Sequence, residues 1–225
     1  FLPPYLKYLY TERMNKMFGN IPIPSLFICF LIFCAWLNYE KNKSHKKQKR
    51  NSQKFWDREE KANHTRNKDI SHLPMFSPDK SRIPMPASTD ENVTYYQNRV
   101  CASLEQPMMD LSGYTNTDLK LAYGTGNFNT LSEYDRNFND FLMNMTNLGK
   151  AYFSAGYFAD AAAVYKLCIE SGSCRHSDYK ALAETYTAMG TPGKISELIS
   201  EAETSELPRK ASLIRQLRSI QHPAE

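Results

Sequence analysis

A stretch near the N-terminus contains no charged side chain. Residues 17–39, between Lys16 and Glu40, are 23 uncharged residues, and their centre is the apolar run Leu26–Leu37. About 20 apolar residues rising by about 1.5 Å each match a hydrocarbon core about 30 Å thick. The stretch therefore predicts one transmembrane helix over residues 17–39, preceded by an N-terminal flank over residues 1–16.

Two other interpretations of this stretch fit the residues less well. A buried core helix carries polar residues on its solvent face, whereas the run Leu26–Leu37 carries none. A cleaved signal peptide ends in small residues, whereas bulky Trp36 and Tyr39 stand at the end of the run. Aromatic residues at that position are typical of a membrane–water interface.

The residues after the uncharged stretch are strongly basic. Eight Lys and Arg side chains follow it up to Arg58, against three before it. This bias predicts that the C-terminal part lies in the cytoplasm and the chain in the cell membrane. We interpret residues 40–68 as a basic juxtamembrane helix. Its candidates for contact with the membrane surface are Lys41, Lys43, Lys46, Lys47, Lys49 and Arg50.

The basic flank has three possible roles. It can act as a solvated signal for topology, or attract anionic lipid headgroups at about 1 kcal/mol per cation near the surface. It could also bind nucleic acid, but no folded recognition motif accompanies it, so no nucleic-acid partner is predicted.

The remainder of the chain is predicted to be helical. Residues 69–90 contain Pro74, Pro78, Pro84 and Pro86, which predict an extended linker along the surface of a helical domain over residues 91–225. Amphipathic spacing and capping residues predict helices over 91–105, 118–123 and 132–154, and a C-terminal cap helix over 209–220. The fold class is therefore all-α.

The helical domain repeats itself after 34 residues. Apolar and small residues coincide in two copies, 142–175 and 176–209. The coinciding pairs are Met145 with Tyr179, Leu148 with Leu182, Gly149 with Ala183, Tyr152 with Tyr186, Gly156 with Gly190, Ala161 with Ile195, Tyr165 with Ile199 and Cys168 with Ala202. Each copy predicts a helical hairpin, with a glycine of positive φ ending the first helix.

This pattern resembles that of tetratricopeptide repeats, with departures at Met145, Cys168, Ser173 and Ile195. The whole chain also resembles single-pass bacterial membrane proteins with short helical-repeat tails, which implies no activity. The resemblance implies a partner-binding groove lined by the first helices. By position its residues are Met143, Thr146, Lys150, Phe153, Lys180, Glu184 and Thr187. The alternative is that these are ordinary solvated residues.

The sequence contains no catalytic signature. Cys168, Cys174 and His176 form C-x5-C-x-H, whereas zinc sites need about four ligands at tighter spacing, so we predict no metal and no cofactor. Gly124-Thr125-Gly126 lacks the Lys-Ser/Thr of a phosphate loop. We therefore expect a non-enzymatic, membrane-anchored adaptor or scaffold that binds a protein or peptide partner. The alternatives are an extracytoplasmic envelope structural protein and an enzyme with an unrecognised site.

Overall fold

Helices account for all the regular secondary structure in the part of the chain that the structure describes. The computed structural model describes residues 23–222, with side chains from Phe27 onward. This range contains eight α-helices, two short 3-10 turns and no strand, which confirms the all-α prediction. The helices are α1 (Ile23–Asn63), α2 (Glu91–Ser103), α3 (Asn116–Tyr123), α4 (Phe128–Ser154), α5 (Phe158–Glu170), α6 (His176–Ala188), α7 (Gly193–Thr204) and α8 (Lys210–Gln221).

The chain divides into two units, residues 1–61 and residues 62–225. In the first unit, the apolar residues Phe27–Leu37 and the basic residues after them lie on the single helix α1, and their side chains are exposed. From residue 23 to residue 222, no helix combines the length and the apolar character that crossing a membrane requires. The predicted flank 1–16 and residues 17–22 of the predicted span lie outside the described residues. The transmembrane helix remains a prediction.

The predicted juxtamembrane helix ends earlier than expected, at Asn63 rather than at residue 68. Beyond this point the chain leaves the helix and bonds to the end of α3 and to the loop after it. The amide of Lys68 donates to Tyr123 O at 3.0 Å, and the amide of Gly126 donates to Asn67 Oδ1 at 2.7 Å. These long-range bonds replace the next helical turn.

Residues 69–90 form an irregular segment, here called the strap, with one 3-10 turn at Lys80–Arg82. The strap packs against the helices. The ring of Phe76 meets that of Phe138 edge-on at 4.9 Å between centroids, and Ile83 is 5% exposed. Arg82 also forms an ion pair with Glu170. The predicted extended linker therefore lies along the surface of the helical domain.

Capping residues begin and end the first helices of this domain. Asp90 caps α2, with its Oδ1 accepting from the amides of Asn92 and Val93 at 2.8 and 3.1 Å. Thr115 and Asp118 form a capping box at the start of α3, and Gly124, at φ 91°, follows its end. These local interactions explain why the helix ends could be predicted from sequence.

The next four helices form two pairs, and equivalent helices of the two pairs end 34 residues apart. Helices α4 and α6 end at Ser154 and Ala188, and helices α5 and α7 end at Glu170 and Thr204. The glycine that follows each first helix has positive φ, 83° at Gly156 and 68° at Gly190, as predicted.

The paired positions of the two copies are also buried together. In the six pairs that contain no glycine, every residue is at most 9% exposed. They are Met145 and Tyr179, Leu148 and Leu182, Tyr152 and Tyr186, Ala161 and Ile195, Tyr165 and Ile199, and Cys168 and Ala202. The internal spacing is thus a property of the fold. Membership of the tetratricopeptide family remains a prediction.

Candidate protein-binding groove

An open groove lies where the C-terminal half of α4 meets the N-terminal half of α6. Its volume is about 410 Å³. Its lining consists of Lys150, Phe153 and Ser154 from α4, Tyr165 from α5, and Ser177, Lys180, Ala181 and Glu184 from α6. The spacing of about 3.6 residues per turn brings Lys150, Phe153 and Ser154 to one side of α4. The groove therefore lies between the first helices of the two hairpins.

The floor of the groove is aromatic. The side chain of Phe153 is 36% exposed, and its ring meets that of Phe158 edge-on at 5.3 Å between centroids. Tyr165 is 2% exposed, and burial raises the pKa of its phenol well above the ordinary value. Tyr165 therefore lies beneath the groove and supports it, while Phe153 remains accessible to a bound side chain.

The rim of the groove carries charges that have no partner within the described chain. Neither Lys150 nor Lys180 forms an ion pair with a described residue, and the same holds for Glu184, one turn after Lys180. With two cations to one anion, the rim is net positive. An acidic group entering the groove would find amines that are not already neutralised.

A shallower depression continues the groove across α4. It has a volume of about 180 Å³ and shares Lys150 and Ser154 with the groove. Its other lining residues include Asp90, Asn92 and Tyr96 at the start of α2. The two depressions therefore adjoin each other at these two residues.

The structure brings together four of the seven groove residues that the sequence pattern suggested: Lys150, Phe153, Lys180 and Glu184. Met143 is 54% exposed but does not line this groove. Thr187 is exposed, also outside the lining, and its hydroxyl donates to Ala183 O at 3.1 Å.

Thr146 is only 5% exposed and cannot contact a partner. Its hydroxyl donates to Asp178 Oδ1 at 2.9 Å and accepts from Arg175 Nη2 at 3.0 Å. The position expected to face the groove instead faces the packed α4–α6 interface, where a hydroxyl is needed to satisfy a buried carboxylate.

That carboxylate, Asp178, is fully buried at the start of α6. Besides Thr146, it accepts from Ser173 Oγ at 2.5 Å and from Arg175 Nε at 3.3 Å. The network connects the loop between α5 and α6 to helices α4 and α6 beneath the groove. It also explains why a serine stands at 173, where the tetratricopeptide pattern has proline. Sequence reasoning missed this network, although its members Ser173, Arg175 and Asp178 are close in the chain.

Cys168, Cys174 and His176 do not form a common site. Cys168 is 1% exposed, and burial raises the pKa of its thiol to about 12, with a smaller contribution from nearby Asp178. Cys174 is exposed, and His176 Nε2 lies 2.7 Å from Pro208 O. Across residues 23–222, no three His, Cys, Asp or Glu side chains are grouped so that they could hold a metal ion.

The glycine loop after α3 is occupied by the chain itself. A Cβ on Gly124 would lie 2.5 Å from Asn67 Cα, and one on Gly126 would lie 2.2 Å from Asn67 Nδ2. The glycines are therefore required by the close approach of residue 67, not by a bound phosphate.

The six candidate membrane-surface residues, Lys41, Lys43, Lys46, Lys47, Lys49 and Arg50, are exposed along α1.

No protein-family model, no curated protein and no solved structure matches this chain.

Proposed function

We propose that the protein is a membrane-anchored adaptor whose helical domain holds a peptide segment of a partner protein in the groove between α4 and α6. The observation that carries this proposal is the groove itself, which combines an accessible aromatic floor with lysines that form no ion pair in the described chain. In this proposal the protein has no catalytic role of its own.

The chemistry of the groove favours a particular kind of segment. An aromatic or aliphatic side chain would pack on the exposed ring of Phe153, and an adjacent carboxylate would lie between the amines of Lys150 and Lys180. Apolar burial supplies affinity at about 25 cal/mol per Å² of area removed from water. The charges supply orientation and selectivity. The resemblance to tetratricopeptide repeats, whose first helices line such grooves, supports the same surface.

The anchor in this proposal is the N-terminal part of α1. Phe27, Phe33 and Trp36 are 62, 52 and 56% exposed, and apolar residues occupy every side of the helix here. A helix that is apolar all round is suited to lipid rather than to the surface of a globular domain. We propose that this run enters the cell membrane together with the uncharged residues that precede it in the sequence. The basic flank would keep the helical domain on the cytoplasmic side.

Selection from a displayed random-peptide library tests the groove. With the full chain in lipid nanodiscs, we expect enrichment of peptides that combine Asp or Glu with an aromatic or aliphatic residue. Lys180→Gln should weaken binding of an enriched peptide about fivefold, corresponding to about 1 kcal/mol for a partly exposed ion pair. Phe153→Ala should weaken it further by removing the floor. Fluorescence anisotropy with the labelled peptide measures both changes.

The matched control is Lys166→Gln, which removes the same charge from the exposed side of α5, outside the groove. This variant should bind as the parent does. Equal weakening by Lys166→Gln and Lys180→Gln would show that only net charge matters. A selection without enrichment would contradict the adaptor function of this surface.

A further inference from the structure

The cations of α1 are not evenly distributed around the helix. Between Tyr39 and Lys54, five of them share one face, which begins two residues after the apolar run. We call this face the basic stripe; it consists of Lys43, Lys46, Lys47, Arg50 and Lys54. At about 100° per residue, Lys41 and Lys49 project from the other side of the helix.

The stripe is available for an external ligand. All five side chains are exposed. Lys43 lies 3.8 Å from Glu40, at the limit of an ion pair, and the other four form no ion pair with a described residue. At the surface such a contact contributes little, so the stripe presents close to five positive charges on one side.

A signal for topology does not need a face, because the positive-inside bias depends on the number of cations near the membrane. A one-sided arrangement is useful only to a helix that has a negative surface on one side. Attraction to anionic headgroups fades within about 10 Å at ordinary ionic strength. In an upright helix, Lys54 would be about 22 Å above Tyr39, at about 1.5 Å per residue, and out of reach.

We infer that α1 leans toward an anionic phospholipid surface with the basic stripe facing the headgroups. The inference rests on the membrane attachment proposed above and adds the orientation of α1 relative to the membrane surface. Lipid is favoured over nucleic acid because the stripe continues the apolar run on the same uninterrupted helix, starting at Tyr39. A leaning helix would bring Arg50 and Lys54 within reach of the surface that Lys43 already faces.

Lysine acylation, read residue by residue by mass spectrometry, tests this inference on the full chain. The chain is placed in nanodiscs of phosphatidylcholine alone, or with about one-third phosphatidylserine. Lys43 and Lys47 report on the stripe, and Lys41 and Lys49 are the matched control. The two pairs have the same mean position along the helix, so a diffuse surface potential acts on them equally.

We expect phosphatidylserine to slow acylation of Lys43 and Lys47 about fivefold, the factor that corresponds to about 1 kcal/mol per cation at the surface. Lys41 and Lys49 should change little, and high salt should abolish the difference. The double variant Lys46→Gln/Arg50→Gln should also reduce the protection of Lys43 and Lys47.

Equal slowing of both pairs would indicate an upright helix in a diffuse potential and would overturn the inference. Unchanged rates in a chain that has entered the discs would overturn it too, as would selective protection by added RNA but not by phosphatidylserine. These results leave the membrane attachment intact. A chain that fails to enter either kind of disc would contradict the attachment and the lean together, so the two failures are distinguishable.

Discussion

At the scale of single residues, Gly149 sets how closely α5 can approach α4. A Cβ built on it would lie 2.7 Å from Cε1 and 2.8 Å from Cζ of Tyr165, whose ring is buried. The ring has no free space to move into, because interiors are close-packed. The equivalent position of the second copy, Ala183, is fully buried in the same core cluster. The small residue expected from the sequence pattern is thus required by one aromatic ring.

Gly149→Ala should destabilise the helical domain although alanine is the better helix former. Overpacking lowers the free energy of unfolding by about 1–3 kcal/mol. The higher helix propensity of alanine raises it by up to about 1 kcal/mol. We expect a net loss of about 1 kcal/mol in the free energy of unfolding, measured by urea denaturation. Gly193→Ala is the control, because nothing lies within 4 Å of its added methyl group. If both substitutions stabilise, the contact with Tyr165 does not limit the packing.

At the scale of elements, the part of the strap around Pro84 is held by one buried tyrosine. The hydroxyl of Tyr152 donates to Pro84 O at 2.7 Å and accepts from Gln97 Nε2 at 3.0 Å. Gln97 Nε2 also donates to Pro86 O at 2.8 Å. Since prolines have no amide hydrogen, the strap cannot add a strand or a helical turn here. Pro84 O and Pro86 O therefore take their hydrogen bonds from side chains.

Tyr152→Phe should loosen the strap without unfolding the helices. The substitution leaves Pro84 O without its donor, which costs about 1–2 kcal/mol. We expect faster tryptic cleavage at Lys80 and Arg82, and little change in the helical circular dichroism. Tyr157→Phe is the control, since its ring lies 6.1 Å from that of Tyr152 but its hydroxyl makes no hydrogen bond within the described chain. Equal cleavage of both variants would mean that Tyr152 does not hold the strap.

The contrast between helices and strap shows what the sequence could reveal. Periodicity and capping are local, so they predicted α2, α3 and α8 to within two residues at each end, and they predicted the C-terminus of α4 at Ser154. The groove was predicted in part, because a helical face can be read from spacing. Thr146 was misplaced, since its environment depends on Asp178, 32 residues later in the chain. Interactions of this range leave no periodic signature.

At the scale of the whole molecule, α8 closes the C-terminal end of the helical domain. Leu213 and Leu217 are fully buried, and they belong to the same core cluster as Tyr152 and Leu148. A stack of helical hairpins exposes an apolar face at its last member unless a further helix covers it. The predicted solvating cap helix is thus part of the main core.

Leu217→Ala should destabilise the whole domain rather than only its last turn. Removing a buried leucine side chain costs about 2–5 kcal/mol, and a continuous core transmits this loss to every helix in it. We expect a lower melting temperature with a single transition, seen both by circular dichroism and by tyrosine fluorescence. The exposed Arg215→Ala, on the same helix, should stay within about 0.5 kcal/mol of the parent. Separate transitions for the two probes would show that α8 folds independently.

The contacts of the strap and of Asn67 imply an order of folding. Helices α4 to α8 pack mainly on neighbours that follow closely in the chain, whereas the contacts of Asn67 with Gly126, Pro84 with Tyr152 and Arg82 with Glu170 span 59, 68 and 88 residues. Closing a long loop costs chain entropy, and the stabilising contact forms only after this entropy has been lost. During synthesis, residues 67–84 leave the ribosome before α4 and α5 and have no surface to dock on until these two helices have followed. The strap is thus made before the helices on which it docks and reaches its final place after them.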